Sequence, residues 1–152
     1  MYTKIVGTGS YLPKKVLTND DIAQLVDTND EWIRERTGIQ SRHIVEDETT
    51  VTMASMAAKD ALENANLQPE DIDLIIVATV SADNLLPSTA CSVQKELGAV
   101  NATAFDINAA CSGFLFALNT ADAYIKTGMY KNALLIGVET LSKIVDWNDR
   151  GT

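Results

Sequence analysis

Two short apolar runs, Leu74–Val80 and Ala133–Val138, constrain this chain more than any other feature. A strand with one wet face alternates apolar and polar residues. A run that is apolar on both faces must be covered on both, as in a parallel sheet flanked by helices. The punctuation between the runs fits that arrangement: a helix from about Pro87 to Leu97 ended by Gly98, a strand Thr103–Ile107, then a helix Cys111–Thr127 stopped by Gly128. Upstream, Tyr2–Tyr11 reads as a strand closed by Leu12-Pro13. Thr18 or Asn19 caps a short helix through Val26, with Asp20 and Asp21 in its first turn, where the dipole favours acids. A second short helix, Glu31–Arg36, ends at Gly38; Ile39–Val45 is a strand; and an amphipathic helix runs from Thr50 to about Asn66, before the Pro69 loop. The tail Lys143–Thr152 is polar and carries no helix or strand pattern. Strands alternating with helices define an α/β protein with a mixed, largely parallel sheet.

Charge and cysteine count narrow the chemistry. With 12 Lys+Arg against 21 Asp+Glu the formal net charge is −9, which excludes a broad binder of nucleic-acid backbone. A local pair of arginines can still hold one small phosphorylated ligand. Two cysteines rule out a disulfide scaffold, and a single histidine, His43, argues against a metal site and reads as structural or surface. No apolar run reaches the ~18 residues of a membrane span, and the first residues lack the basic and apolar regions of a secretory leader, so the expected location is the reducing cytoplasm, with no membrane partner.

The stretch Asp106-Ile107-Asn108-Ala109-Ala110-Cys111-Ser112-Gly113-Phe114 places a cysteine where an apolar strand turns into a helix. Free N–H groups and the positive dipole end at such a junction favour the thiolate, the nucleophilic form. Small neighbours let an acyl group approach, and the helix beyond, apolar almost all round, is expected to run through the interior. A cysteine at the head of a buried helix suits covalent catalysis that excludes water. The competing reading is a small core residue, since free cysteines are among the most buried side chains. Cys91, inside its helix, reads as core. Asp83, Asp146 and Asp149 read as solvated loop charges, and no carboxylate pair stands out.

The Cys111 segment resembles the active-site motif of the β-ketoacyl-ACP (acyl carrier protein) synthase III family, the initiating condensing enzymes of type II fatty-acid synthesis. Three further segments resemble the same family: Tyr2–Pro13 its N-terminal strand, Asp30-Glu31-Trp32-Ile33 with Arg36-Thr37-Gly38-Ile39 a coenzyme A segment, and Asp149-Arg150-Gly151-Thr152 a second one. The resemblance implies a thiolase-like fold of two duplicated halves, of which residues 1–152 are the first, and a homodimer. It implies that Cys111 takes an acyl group from acyl-CoA and passes it to malonyl-ACP. Trp32 and Arg150 match the pair that sandwiches the adenine, and Thr28, Arg36, Thr37 and Gly151 match further contacts to the nucleotide and its phosphates. Val80, Leu86 and Leu141 match the acyl pocket, Leu86 reaching across the dimer. Leucine there, where some members carry phenylalanine, leaves room for primers larger than acetyl; read as an ordinary interface residue it changes nothing.

Coenzyme A enters as a substrate thioester, and neither metal nor redox cofactor is implied. The histidine and asparagine that drive malonyl decarboxylation, and the glycine amide that completes the oxyanion hole, belong to the family's second half, which this chain does not resemble. The chain alone is therefore expected to be inactive. A related ketosynthase of polyketide metabolism and a non-catalytic α/β binding module are the alternative readings.

Overall fold

The computed structural model describes residues 2–152. It contains two compact units. One comprises residues up to Tyr11 with Thr49–Glu139; the other comprises Leu12–Glu48 with Thr140–Thr152.

In the first unit, three parallel strands form a sheet of order β4-β3-β5, with β3 Leu74–Ala78 in the centre, β4 Thr103–Ile107 on one side and β5 Ala133–Gly137 on the other. The register runs in step, Ala78 lying opposite both Ile107 and Gly137, so the three C-terminal ends share one rim. Leu74, Ile75, Ile76 and Val77 are fully buried, as a strand that is apolar on both faces demands. Each such side chain contributes about 1.5–3 kcal/mol relative to exposure. Leu74 and Ile76 pack with Ala117 and Ala121 of helix α5, Gly113–Lys126, and with Phe105, Ile107, Tyr124 and Leu135. Period-two alternation turns Ile75 and Val77 to the opposite face. There α3, Thr50–Ala65, and α4, Thr89–Leu97, bury Ala54, Ala58, Ala90 and Val93.

Two expectations for this unit are corrected. Residues 2–11 carry no helix or strand and join no ladder. Gly9 lies so close to α3 that a Cβ there would stand 2.3 Å from the Ala57 carbonyl oxygen and the Ala61 nitrogen, while a cavity of about 570 Å³ separates Thr3–Gly9 from β5. A strand requires a partner edge as well as a suitable sequence, and β5 keeps its outer edge bare. Nor is α5 buried all round. Ala117 and Ala121 are enclosed, but Phe114, Leu115 and Phe116 are 46%, 62% and 52% exposed, because only the face turned to the sheet is covered.

The second unit is built on an antiparallel pair, β1 Lys15–Thr18 with β2 Ser41–Ile44. Two helices lie between these strands. In α1, Asn19–Ala23, Thr18 and Asp21 form a reciprocal capping box, and the helix stops short of Val26. In α2, Asp30–Thr37, the Asn29 side chain caps the start and left-handed Gly38 the end. Strand β1 has no counterpart in the sequence expectation, since four residues with three exposed carry little pattern. Buried Asn19 ties the unit together: its amide donates to Asp30 Oδ1 and the Ile39 carbonyl, both at 2.8 Å, and its oxygen accepts from Arg42 Nη2 at 2.8 Å. His43 meets the Pro13 carbonyl through Nδ1, a structural role as expected.

Candidate active site

Cys111 sits in a single 3-10 turn, Ala110–Ser112, between the C-terminal end of β4 and the first residue of α5. It is exposed, which argues against the core reading. The turn is tight enough to hold Ala110 at φ 45°, left-handed for a residue with a Cβ, a conformation that costs roughly 1–2 kcal/mol and is held by its surroundings. Gly113 explains how the turn stays against the sheet: a Cβ there would come 3.0 Å from the Cβ of Ala78. Cys111 is thereby fixed at the carboxyl rim of a parallel sheet, where ligands of open α/β sheets bind. Cys91 is corrected in one respect: it is exposed, not core, and its thiol donates to the Ala104 carbonyl at 3.7 Å.

Carboxylates brace this rim in a way the sequence reading missed. Asp106, on β4, accepts from the Thr89 and Ala90 amides at 2.8 and 2.7 Å, capping α4. Asp83, expected to be a solvated charge, accepts from the Thr50 and Val51 amides at 3.0 and 2.9 Å and caps α3. The signal available in advance was the position of each acid at a strand end or loop facing a helix start, which is legible only once the partner helix is placed.

In the second unit Trp32, on α2, is 40% exposed, with the Arg36 guanidinium 4.4 Å and the Arg150 guanidinium 5.1 Å from its ring centroid. The structure thus brings together three of the residues matched to coenzyme A. Cation–π contacts of this exposed kind contribute about 0.5–1 kcal/mol each. Arg150 rests directly on the indole. A base between them needs about 3.5–4.0 Å on either side, so the guanidinium must move out by roughly 2 Å to admit one.

Thr28 Oγ1 is buried with no hydrogen-bond partner among the described residues, as is Ser55 Oγ in α3. Thr37, by contrast, already spends its hydroxyl on the fold, donating to the Ile33 carbonyl at 2.7 Å and accepting from the Ile39 amide at 3.1 Å. Gly151 donates its amide to Asp149 Oδ1 at 2.8 Å, and Asp146 accepts from the Asn148 amide at 2.9 Å, so both acids shape the turn that carries Arg150. Asp30, at the start of α2, has its carboxyl held below the ordinary range by hydrogen bonds from Arg34 first and Asn19 second. Val80, Leu86 and Leu141 are 41%, 83% and 46% exposed. The 570 Å³ cavity beside β5 is a different place: Cys111 is not among its walls.

The parallel sheet, the cysteine turn at its rim and the helices on both faces are the half-fold of a thiolase-like condensing enzyme. A solved 3-oxoacyl-[acyl-carrier-protein] synthase III from Aquifex aeolicus superimposes with a TM-score of 0.96 at 59% identity, covering 99% of this chain and 49% of that one. The priming β-ketosynthase of the R1128 polyketide pathway superimposes with a TM-score of 0.95 at 37% identity, covering 98% and 45%. Residues 105–152 match the family model for 3-oxoacyl-[acyl-carrier-protein (ACP)] synthase III. The β-ketoacyl-[acyl-carrier-protein] synthase III of Clostridium acetobutylicum is 58% identical over 149 residues, 98% of this chain and 46% of the relative. Over the half it spans, this chain is similar to members of the β-ketoacyl-ACP synthase III family. It spans about half the length of the curated relatives it matches. No helix among the described residues is long and apolar enough to cross a membrane.

Proposed function

We propose that this chain is the nucleophile half of a priming condensing enzyme of type II fatty-acid synthesis, cytoplasmic and homodimeric when whole. The observation that carries the reading is Cys111, exposed on a strained turn at the sheet rim with small residues on either side. Its thiolate attacks the carbonyl carbon of acyl-CoA. The tetrahedral oxyanion collapses, the coenzyme A thiolate leaves and is protonated, and the acyl group remains as a thioester on Cys111. Malonyl-ACP then loses carbon dioxide; the resulting carbanion attacks the acyl carbon, and the Cys111 thiolate departs to leave β-ketoacyl-ACP. The family resemblance assigns decarboxylation and the second oxyanion donor to the half outside this chain.

Coenzyme A is substrate here. Its adenine belongs between Trp32 and Arg150, its phosphates near Arg36, with Thr28, Thr37 and Gly151 around the nucleotide. The two guanidiniums at the indole support this assignment. The family resemblance assigns Val80, Leu86 and Leu141 to the acyl pocket, Leu86 from the partner subunit; the exposure of Leu85 and Leu86, 94% and 83%, supports a covered interface there. The polyketide reading shares this fold but has the lower identity, 37% against 59%.

The test is made on the full-length protein. Incubation with acyl-CoA should add one acyl mass to Cys111; Cys111→Ser should abolish it and Cys91→Ser should not. Equal acylation of wild type and Cys111→Ser overturns the reading. Preference for malonyl-CoA over malonyl-ACP as acceptor favours the polyketide branch.

A further inference from the structure

Glu139, two residues beyond the end of β5, takes no part in the chemistry above, yet it binds three successive residues of the loop that leaves β3. Oε1 accepts from the Val80 amide at 3.0 Å; Oε2 accepts from the Thr79 hydroxyl at 3.4 Å and from the Ser81 hydroxyl. The sheet does not need these bonds to close, because the Val138 amide already donates to the Ala78 carbonyl at 3.2 Å and the Thr79 amide to the Ile107 carbonyl at 3.2 Å. From the other side, the Thr50 hydroxyl donates to the Ser81 carbonyl at 2.6 Å, and Asp83 holds the first amides of α3. The short segment 79–81 is therefore clamped between the end of β5 and the start of α3. It begins one residue after Ala78, the residue that meets Gly113 beside Cys111.

We propose that Glu139 is a positioning residue that sets which acyl primers are accepted, by fixing the Val80 segment beside the turn that carries Cys111. Residues 82–87 are exposed and Val80 is 41% exposed, so packing alone does not immobilise this stretch. Bonds to a carboxylate are roughly twice as strong as neutral ones, and here they supply the rigidity. A firm wall discriminates between primers by shape, and one methylene in such a pocket is worth roughly 10–200-fold. A wall released from its clamp yields to a larger primer and loses part of that discrimination.

The inference rests on the condensing reading. The experiment compares kcat/KM for acetyl-CoA and isobutyryl-CoA in the full-length protein, for wild type, Glu139→Ala, Glu139→Gln and Ser81→Ala. Glu139→Ala should shift the ratio of the two toward isobutyryl by roughly three- to tenfold, within that methylene range. Glu139→Gln, whose amide oxygen still accepts from Val80, should restore most of the wild-type ratio. Ser81→Ala should shift the ratio in the same direction by about twofold, a fraction of the same range, and stands in if Glu139→Ala does not fold. A merely structural role would lower both primers alike; an unchanged ratio in Glu139→Ala, or in Ser81→Ala as its stand-in, overturns the inference while wild-type condensation stands. A wild type that makes no β-ketoacyl product overturns the condensing reading and this inference with it.

Discussion

Gly113→Ala isolates the contact that sets where Cys111 stands. Gly113 has ordinary helical backbone angles, φ −56° and ψ −45°, so alanine is allowed there conformationally, and in a helix it is favoured by up to about 1 kcal/mol. Against this stands space. The new Cβ would lie 3.0 Å from Ala78 Cβ, whereas carbon atoms rest at about 3.5–4.0 Å, so the start of α5 must retreat by roughly 0.5–1 Å. Overpacking of this kind costs about 1–3 kcal/mol, which leaves a net loss of roughly 0–2 kcal/mol after the helix gain. Chemistry is less tolerant, since a misplacement of ~1 Å can lower a rate about 10²-fold. Single-turnover acylation of full-length Gly113→Ala, followed by mass, should therefore fall far more than its urea midpoint. Ala78→Gly in the same chain returns the missing space, and the double variant should recover acylation beyond the sum of the single effects. Acylation of Gly113→Ala within about twofold of wild type, far short of that ~10²-fold loss, would refute the argument that this contact aims Cys111.

Three further outcomes are expected. Trp32→Ala should weaken acyl-CoA binding by roughly ten- to a hundredfold, from stacking of about 1–3 kcal/mol, and leave turnover of an acyl-pantetheine unchanged; equal loss with both donors would mark Trp32 as structural. Because the Asp30 carboxyl is held below its ordinary range, its bonds stabilise α2 fully above the unfolded value of about 3.9, and that stability is lost as pH falls through the lower folded value. Carboxyl-carbon NMR should find Asp30 titrating higher in Arg34→Ala, and identical curves would contradict the cause given. Purified 1–152 should self-associate on size-exclusion chromatography and fail to condense acyl-CoA with malonyl-ACP, given the bare edge of β5 and the exposure of Leu115 and Phe116; a monomeric, active fragment would contradict both parts.

The sheet was legible because its physics is local. Leu74–Ala78 and Ala133–Gly137 are apolar on both faces, and that pattern admits few other folds. Strand Thr103–Ile107 and the helix ends at Gly38 and Gly98 were equally readable, each marked by its own residues. Cys111 could be singled out from its place between strand and helix. What failed depended on partners distant in sequence: Tyr2–Tyr11 has the composition of a strand but joins no ladder, and α5, rich in apolar residues, is covered on one side only. The acids Asp83, Asp106 and Glu139 were passed over for the same reason, since a carboxylate that caps a distant amide looks like any surface charge until the fold brings them together.

Both tryptophans, Trp32 and Trp147, belong to the unit of residues 12–48 and 140–152, and the unit that carries Cys111 has none. Trp147 is held by its ring N–H to the Ser142 carbonyl at 3.1 Å, while Trp32 lies open beneath its two guanidiniums. Indole emission therefore observes one unit alone. Its signal reports the surroundings of Trp32 and Trp147, both of which lie in that unit. Far-UV circular dichroism, dominated by α3, α4 and α5, observes the other unit. Coincidence of the two denaturation curves is a direct measure of whether the units unfold as one cooperative body, and separation of the curves is a direct measure of their independence.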